Sequence, residues 1–278
     1  MSSIPDTTAL ADPSASPLLP AQRRQRIVDF LRVHGAVTLG QLEQALGASL
    51  STLRRDLDTL AAEGVVDRTH GGALLRQQAP EYATFEPEPE AAAELSPREK
   101  AAIGQAAAEA LLPRQSVIFD SGTTVLEAAR AAVRRQIPLT AVTNDLVIAQ
   151  VLGKSPQIQV HMLGGALRPG STTIIGQTLV DQASALRADV LLMGAHAVTD
   201  NVISETSAEL AAVKRALMKA ANSTRLLVDS SKFRPRAFMQ IAALDDVGEL
   251  ITDSGIAPAE EERLRALELK LTVVRVQP

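Results

Sequence analysis

Two arginines, Arg54 and Arg55, stand side by side in the stretch LSTLRRDLDTL at 50–60. A guanidinium can pair bidentately with the major-groove edge of guanine, and hydroxyls such as those of Ser51 and Thr52 can reach bases or phosphates. The competing use of two such arginines is to pair with Asp56, Asp58 or Glu63 on a solvated helix face, which contributes about 0.3–0.5 kcal/mol per pair. A second set of residues offers different chemistry. Ser121-Gly122-Thr123-Thr124 follows the apolar run SVIFD and opens an Ala-rich helical stretch. Free backbone N–H groups and the positive end of the helix dipole make such a start a ready anion site. The loop has neither P-loop spacing nor the dinucleotide glycine fingerprint, so no nucleotide is implied.

Similar residues recur after other apolar runs: Thr143-Asn144, then Gly164-Gly165 with Arg168 behind, then Asp229-Ser230-Ser231-Lys232. In open parallel sheets, ligands sit outside the carboxyl ends of the strands. Small, hydroxylated and cationic residues at several such ends suit a phosphorylated polyol better than an apolar ligand. Ordinary turn and capping chemistry is the alternative.

The elements that must position these groups fall into two regimes. In 21–76, Ile27, Phe30 and Leu31 mark the core face of a helix from about Ala21 to His34. Thr38 to Gln41 has the form of a capping box opening a second helix with Leu39, Leu42 and Leu46 inward. Gly47-Ala48 turns the chain, and Ser49 or Ser51 can cap a third helix with Leu53, Leu57 and Leu60 on one side. Two short helices and a tight turn make a helix-turn-helix. With the leucines inward, Ser51, Thr52 and Arg55 point outward from the N-terminal half of the third helix, flanked by Arg54, where a recognition helix meets base edges. VVDRTHGGALL then reads as a hairpin, a wing from which Arg68 and His70 could touch DNA; for His70 a role in turn geometry alone is equally open.

Residues 77–97 are acidic and punctuated by proline, which denies them a stable helix and predicts a linker. Beyond it, seven apolar runs alternate with helical stretches: SVIFD, LTAVTN, QVHMLGG, DVLLMG, TRLLVD, ELITD and KLTVVRV. That alternation predicts an α/β domain with a mostly parallel sheet over 98–278. Residues 1–20 read as a disordered tail with no signal peptide.

The 278-residue chain has no cysteine, which excludes disulfides and thiol chemistry, and only 2% aromatic residues, which counts against stacking platforms for single-stranded nucleic acid. No run is long enough to span a membrane, and a cytoplasmic location is expected. The net charge of −4 does not announce a nucleic-acid partner, so any such reading rests on local placement.

The first domain resembles the N-terminal winged helix of DeoR-family bacterial transcriptional regulators. Arg23 or Arg24 with Ile27 and Leu31 matches its first element. Thr52-Leu53-Arg54-Arg55-Asp56-Leu57 matches the recognition helix, and His70-Gly71-Gly72-Ala73 the wing. Leu50 departs, since the family usually carries a polar residue there. The second domain resembles the sensing half of the same family, similar in fold to ribose-5-phosphate isomerase, through Asp120–Thr124, Thr143-Asn144, Leu163–Arg168, Val213–Ala216 and Asp229–Phe233. The resemblance implies DNA contacts from Ser49, Ser51, Thr52, Arg54, Arg55, Arg68 and His70. It implies phosphate contacts from Ser121, Gly122, Thr123, Thr124 and Lys232, and sugar-side contacts near Asp120, Asn144, Gly164, Gly165, Glu205 and Lys214. Lys214 borders the face of Leu210, Val213 and Leu217, so a snorkelling surface lysine is its alternative. The family commonly has Gly-Ala-Asp where this chain has Gly194-Ala195-His196. His196 is therefore either a ligand contact or a buried, hydrogen-bonded histidine.

The expected function is a repressor of a carbohydrate operon, binding double-stranded operator DNA as a dimer or tetramer and modulated by a phosphorylated sugar or sugar acid, with no cofactor, metal or catalysis. The alternative is a sugar-phosphate isomerase with an extra domain, using a base such as Glu205.

Overall fold

The computed structural model of the chain describes residues 20–34, 36–62, 65–69, 71–75, 95–267 and 269–276. The expected tail (except Pro20), most of the expected linker and His70 lie outside these residues. No helix among the described residues is long and apolar enough to cross a membrane.

Thr38 sets the geometry of the first domain. Its hydroxyl accepts the Gln41 N–H at 3.1 Å while the Gln41 side chain accepts the Thr38 N–H at 2.8 Å, so the capping box closes reciprocally. It stands between α1 (Pro20–His34) with β1 (Ala36–Thr38) and α2 (Leu39–Leu46). Gly47, at φ 63°, ends α2 in the left-handed region that glycine tolerates. Helix α3 (Leu50–Ala62) follows, then β2 (Val66–Arg68) and β3 (Gly72–Leu75). Ile27, Val28, Leu31, Leu39, Leu42, Leu53, Leu57 and Leu60 form one buried cluster, the leucine seam read from the sequence. The wing holds one strand more than the sequence suggested: β3 lies between β2 and β1, antiparallel to both. At Gly72 a Cβ would fall 1.9 Å from the Val37 carbonyl oxygen, so only glycine allows β1 this close.

In the second domain all seven apolar runs become strands of one parallel sheet. They are β4 (Ser116–Phe119), β5 (Leu139–Thr143), β6 (Ile158–Met162), β9 (Ala188–Met193), β12 (Ala221–Leu227), β14 (Glu249–Asp253) and β15 (Lys270–Val274), in the order β15-β14-β12-β9-β4-β5-β6. Side chains alternate across it. Val117 and Phe119 pack with α4 (Pro97–Glu109), α5 (Thr123–Arg135) and α6 (Leu146–Leu152), while Ile118 packs with α7 (Gln177–Ser184), α8 (Ala208–Lys219) and α9 (Pro258–Arg265). Two smaller antiparallel pieces lacked a sequence signal: the pair β7 (Ala166–Leu167) with β8 (Ile174–Ile175), and a three-stranded sheet of β10 (Ala197–Thr199), β11 (Val202–Glu205) and β13 (Met239–Ala243). The chain leaves β4 for β5 on one side and later returns to β9 on the other. The crevice beyond the carboxyl ends of β4 and β9 is thus the topological switch point of the sheet, where such folds hold their ligands.

Candidate functional site

A cavity of about 470 Å³ opens at that switch point. Ser121 to Thr124, directly after β4, form one wall. Gly122 holds φ 120° as the residue before α5 and offers no side-chain cap. The first intrahelical bond runs from the Leu126 N–H to the Gly122 carbonyl, so no side-chain cap occupies the N–H groups of the first turn. Across the cavity, Gly194, Ala195 and His196 follow β9, and Lys232 comes from the turn after β12.

The floor holds a buried charge cluster. Lys214 on α8 is 4% exposed, and its Nζ donates to Asp120 Oδ2 at 2.5 Å and to the Gly194 carbonyl at 3.0 Å, with Glu205 Oε2 at 3.5 Å. Lys214 is thus no surface lysine. Burial alone would lower its pKa, but the Asp120 and Glu205 carboxylates outweigh that and hold it above the ordinary lysine value. Asp120 Oδ2 also accepts the Gly194 N–H at 3.3 Å, while Asp120 Oδ1 is buried with no hydrogen-bond partner among the described residues.

The remaining wall is a loop the sequence reading only touched. Arg168 to Thr173, between β7 and β8, line the cavity together with Asp145, Val147 and Ile148. Asp145 fastens them: one oxygen caps α6 at the Val147 and Ile148 N–H groups (2.9 and 3.1 Å), and the other accepts the Thr172 hydroxyl at 2.9 Å. Arg-Pro-Gly-Ser-Thr-Thr is as rich in small and hydroxylated residues as the Ser121–Thr124 turn, and that composition is the signal that could have found it.

Of the residues expected at the effector site, Ser121, Gly122, Thr123, Thr124, Glu205, Lys214 and Lys232 line the cavity. Asp120 lies behind them, under Lys214. Asn144, Gly164 and Gly165 do not line it. Asn144 is buried and donates to the Ile174 carbonyl at 3.1 Å. Gly164 gives its N–H to Gln182 at 2.9 Å. Gly165 lets β7 lie against β8, since a Cβ there would sit 2.5 Å from the Ile175 carbonyl oxygen. These three fix the wall without facing its interior.

His196 faces the cavity, and no hydrogen bond to its ring is found among the described residues. Its backbone is clamped, the Arg234 guanidinium donating twice to its carbonyl at 3.0 and 2.8 Å. Burial first, then the Arg234 and Lys232 cations, push its pKa down to about 2, so the ring is neutral near pH 7.

In the first domain two of the acids near the arginines, Asp56 and Asp58, are already engaged. Asp56, 4% exposed, takes Arg23 at 2.5 Å and has Arg24 at 3.9 Å, both from α1; Asp58 takes Arg68 at 3.2 Å. Arg54 and Arg55 are exposed and make no ion pair among the described residues. Ser49 accepts the Thr52 N–H at 3.4 Å, and its hydroxyl meets those of Ser51 and Thr52 at 3.1 and 2.9 Å. The exposed edge of α3 is therefore a row of hydroxyls and two guanidinium groups with no ion pair among the described residues.

Residues 23–79 match the DeoR-like helix-turn-helix domain, and 96–254 match the DeoR C terminal sensor domain. The chain belongs to the DeoR family of transcriptional regulators. Among its relatives, the HTH-type transcriptional repressor GlcR of Bacillus subtilis is 30% identical over 84% of this chain and 88% of its own length. The lactose phosphotransferase system repressor of Lactococcus lactis is 30% identical over 87% of this chain and 94% of its own. Among solved structures, ribose 5-phosphate isomerase A of Methanocaldococcus jannaschii shows a TM-score of 0.37 and 14% identity over 48% of this chain and 53% of its own, too slight a likeness to carry function. As a DeoR regulator the chain is not an enzyme, and the isomerase alternative falls. Its helix-turn-helix binds DNA.

Proposed function

We propose that this DeoR regulator represses a carbohydrate-utilisation operon in the cytoplasm as a homo-oligomer, and that a phosphorylated sugar or sugar acid in the switch-point cavity controls its hold on operator DNA. One observation carries the reading. A single cavity has an uncapped helix start and a lysine on its walls and a carboxylate–lysine cluster on its floor. A phosphate would accept the N–H groups at the start of α5 and the hydroxyls of Ser121, Thr123 and Thr124, with Lys232 adding charge. Sugar hydroxyls would donate to Glu205. The volume of about 470 Å³ lies in the range of small-molecule sites. A relative named for sugar uptake, the lactose phosphotransferase system repressor, supports a sugar-linked role.

On the DNA side, Arg54 and Arg55 would read base edges in the major groove, with Ser49, Ser51 and Thr52 on phosphates or bases and Arg68 and His70 on the wing. A panel of sugars and their phosphate esters, read by thermal shift, tests the sensor. A phosphorylated ligand at 100 times its Kd stabilises the chain by about 2.7 kcal/mol, while the unphosphorylated sugar at the same concentration does not. Equal shifts from both members of every pair would overturn the phosphate reading.

A further inference from the structure

Among the described residues of the DNA-binding domain, Leu50 is the one large apolar side chain left exposed, at 37%. A single exposed leucine is ordinary on a protein surface, but this one has a particular place. The Ser49 carbonyl accepts the Leu53 N–H at 3.0 Å and the Ser49 hydroxyl the Thr52 N–H at 3.4 Å, so Ser49 caps α3 and Leu50 is its first residue. The buried seam begins three residues later, at Leu53, and the cluster it forms with Leu57 and Leu60 does not include Leu50. Leu50 thus lies outside the core, at the end of the helix that meets base edges in a helix-turn-helix.

We propose that Leu50 is a specificity-determining residue of the DNA-reading edge, packing on the C5-methyl of a thymine one or two base steps from the base that Arg54 reads. The inference rests on the major-groove placement of α3 proposed above. Helical spacing sets the register. Leu50 and Arg54 are i and i+4, as are Ser51 and Arg55, and all four are exposed. Cβ atoms so spaced lie about 5–6 Å apart, and bases along a strand about 3.4 Å apart, so the leucine meets an edge one or two steps from that of its arginine. The neighbouring hydroxyls of Ser49, Ser51 and Thr52 bond to one another at 3.1 and 2.9 Å, which leaves Leu50 as the apolar spot on a polar edge. Thymine alone among the bases puts a methyl in the major groove. Cytosine and adenine present amino donors there, which a leucine would cover without pairing.

The test uses the full chain and a duplex that it selects from a random-sequence library. Each thymine of the selected site is replaced in turn by uracil, which differs only in lacking the methyl, and affinity is read by fluorescence anisotropy. At one thymine position the wild type binds the uracil duplex about fourfold more weakly, the worth of one buried methyl. Leu50→Ser binds the two duplexes alike, while Leu50→Met, still apolar, keeps the difference. That thymine lies one or two steps from a guanine whose replacement by 7-deazaguanine weakens the wild type but not Arg54→Ala. A wild type that tolerates uracil at every position, a selected site with no thymine at that spacing, or a uracil loss as large in Leu50→Ser as in the wild type would overturn the role of Leu50. The arginine reading would still stand wherever the 7-deazaguanine effect vanishes in Arg54→Ala. A chain that selects no sequence, or whose discrimination survives both Arg54→Ala and Arg55→Ala, would remove the major-groove placement of α3 and this proposal together.

Discussion

Replacing Lys214 by methionine removes the cation that pairs with two buried carboxylates in the sensor floor. Asp120 and Glu205 are 0% and 5% exposed, and Lys214 Nζ stands 2.5 and 3.5 Å from them. Without it Asp120 keeps the Gly194 N–H at 3.3 Å, and Glu205 keeps among its contacts the Thr206 N–H at 3.3 Å. Breaking a buried pair from one side costs about 3–5 kcal/mol, because the remaining charge is left uncompensated. Asp120→Asn in the Lys214→Met background removes one of the two charges and recovers part of the loss, a coupling that a double-mutant cycle reads directly. Calorimetric unfolding of the full chain, following the sensor-domain transition, supplies the numbers. A loss below about 1 kcal/mol, or a double variant no more stable than the single, would refute the view that Lys214 balances this cluster.

Three further outcomes follow from the same geometry. Arg55→Ala weakens binding to a specific duplex by about 1–3 kcal/mol while a random duplex is little affected; equal losses in a gel-shift titration would contradict base reading. His196 has a folded pKa of about 2 against an ordinary 6.5, so the stability tied to its neutral form is full above pH 6.5 and lost as the pH falls, by about 1.4 kcal/mol per unit. His196→Gln flattens that acid limb in urea titrations at pH 7 and 5, and an unchanged limb would remove the assignment. Asp56→Ala, by freeing Arg23 and Arg24 from the buried acid, destabilises the DNA-binding domain by about 3 kcal/mol in calorimetry while the sensor transition stays in place; a loss confined to the sensor transition would count against the α1–α3 clamp.

Much of this architecture was legible because periodic patterns carry it. The leucine seam of α3, the Thr38–Gln41 box and the seven apolar runs each follow from local spacing, and each becomes the element it predicts. The misses were non-local. Strand β1 is three residues long and exists because Gly72 admits it to β3, a contact no window of sequence reveals. Asn144, Gly164 and Gly165 stand at strand ends as site residues would, yet their partners are Ile174, Gln182 and Ile175, drawn in by the β7–β8 pair. Lys214, expected near the effector with a snorkelling surface lysine as its alternative, does line the cavity, but its burial between Asp120 and Glu205 was not legible, because those partners lie far away in sequence. Which of the acids in α3 were taken was equally hidden, since Asp56 meets α1 across 33 residues.

The central claim is that the switch-point cavity governs the DNA-reading edge of α3. Operator affinity measured with and without a phosphorylated sugar drawn from the thermal-shift panel, in the wild type and in Thr123→Val/Lys232→Ala, tests it most directly. The account predicts a change of about 5–150-fold in the wild type. It also predicts that the variant binds operator as tightly as the wild type without ligand and does not respond to the sugar. A variant that responds as the wild type does, or a wild type indifferent to every phosphorylated sugar, would contradict it.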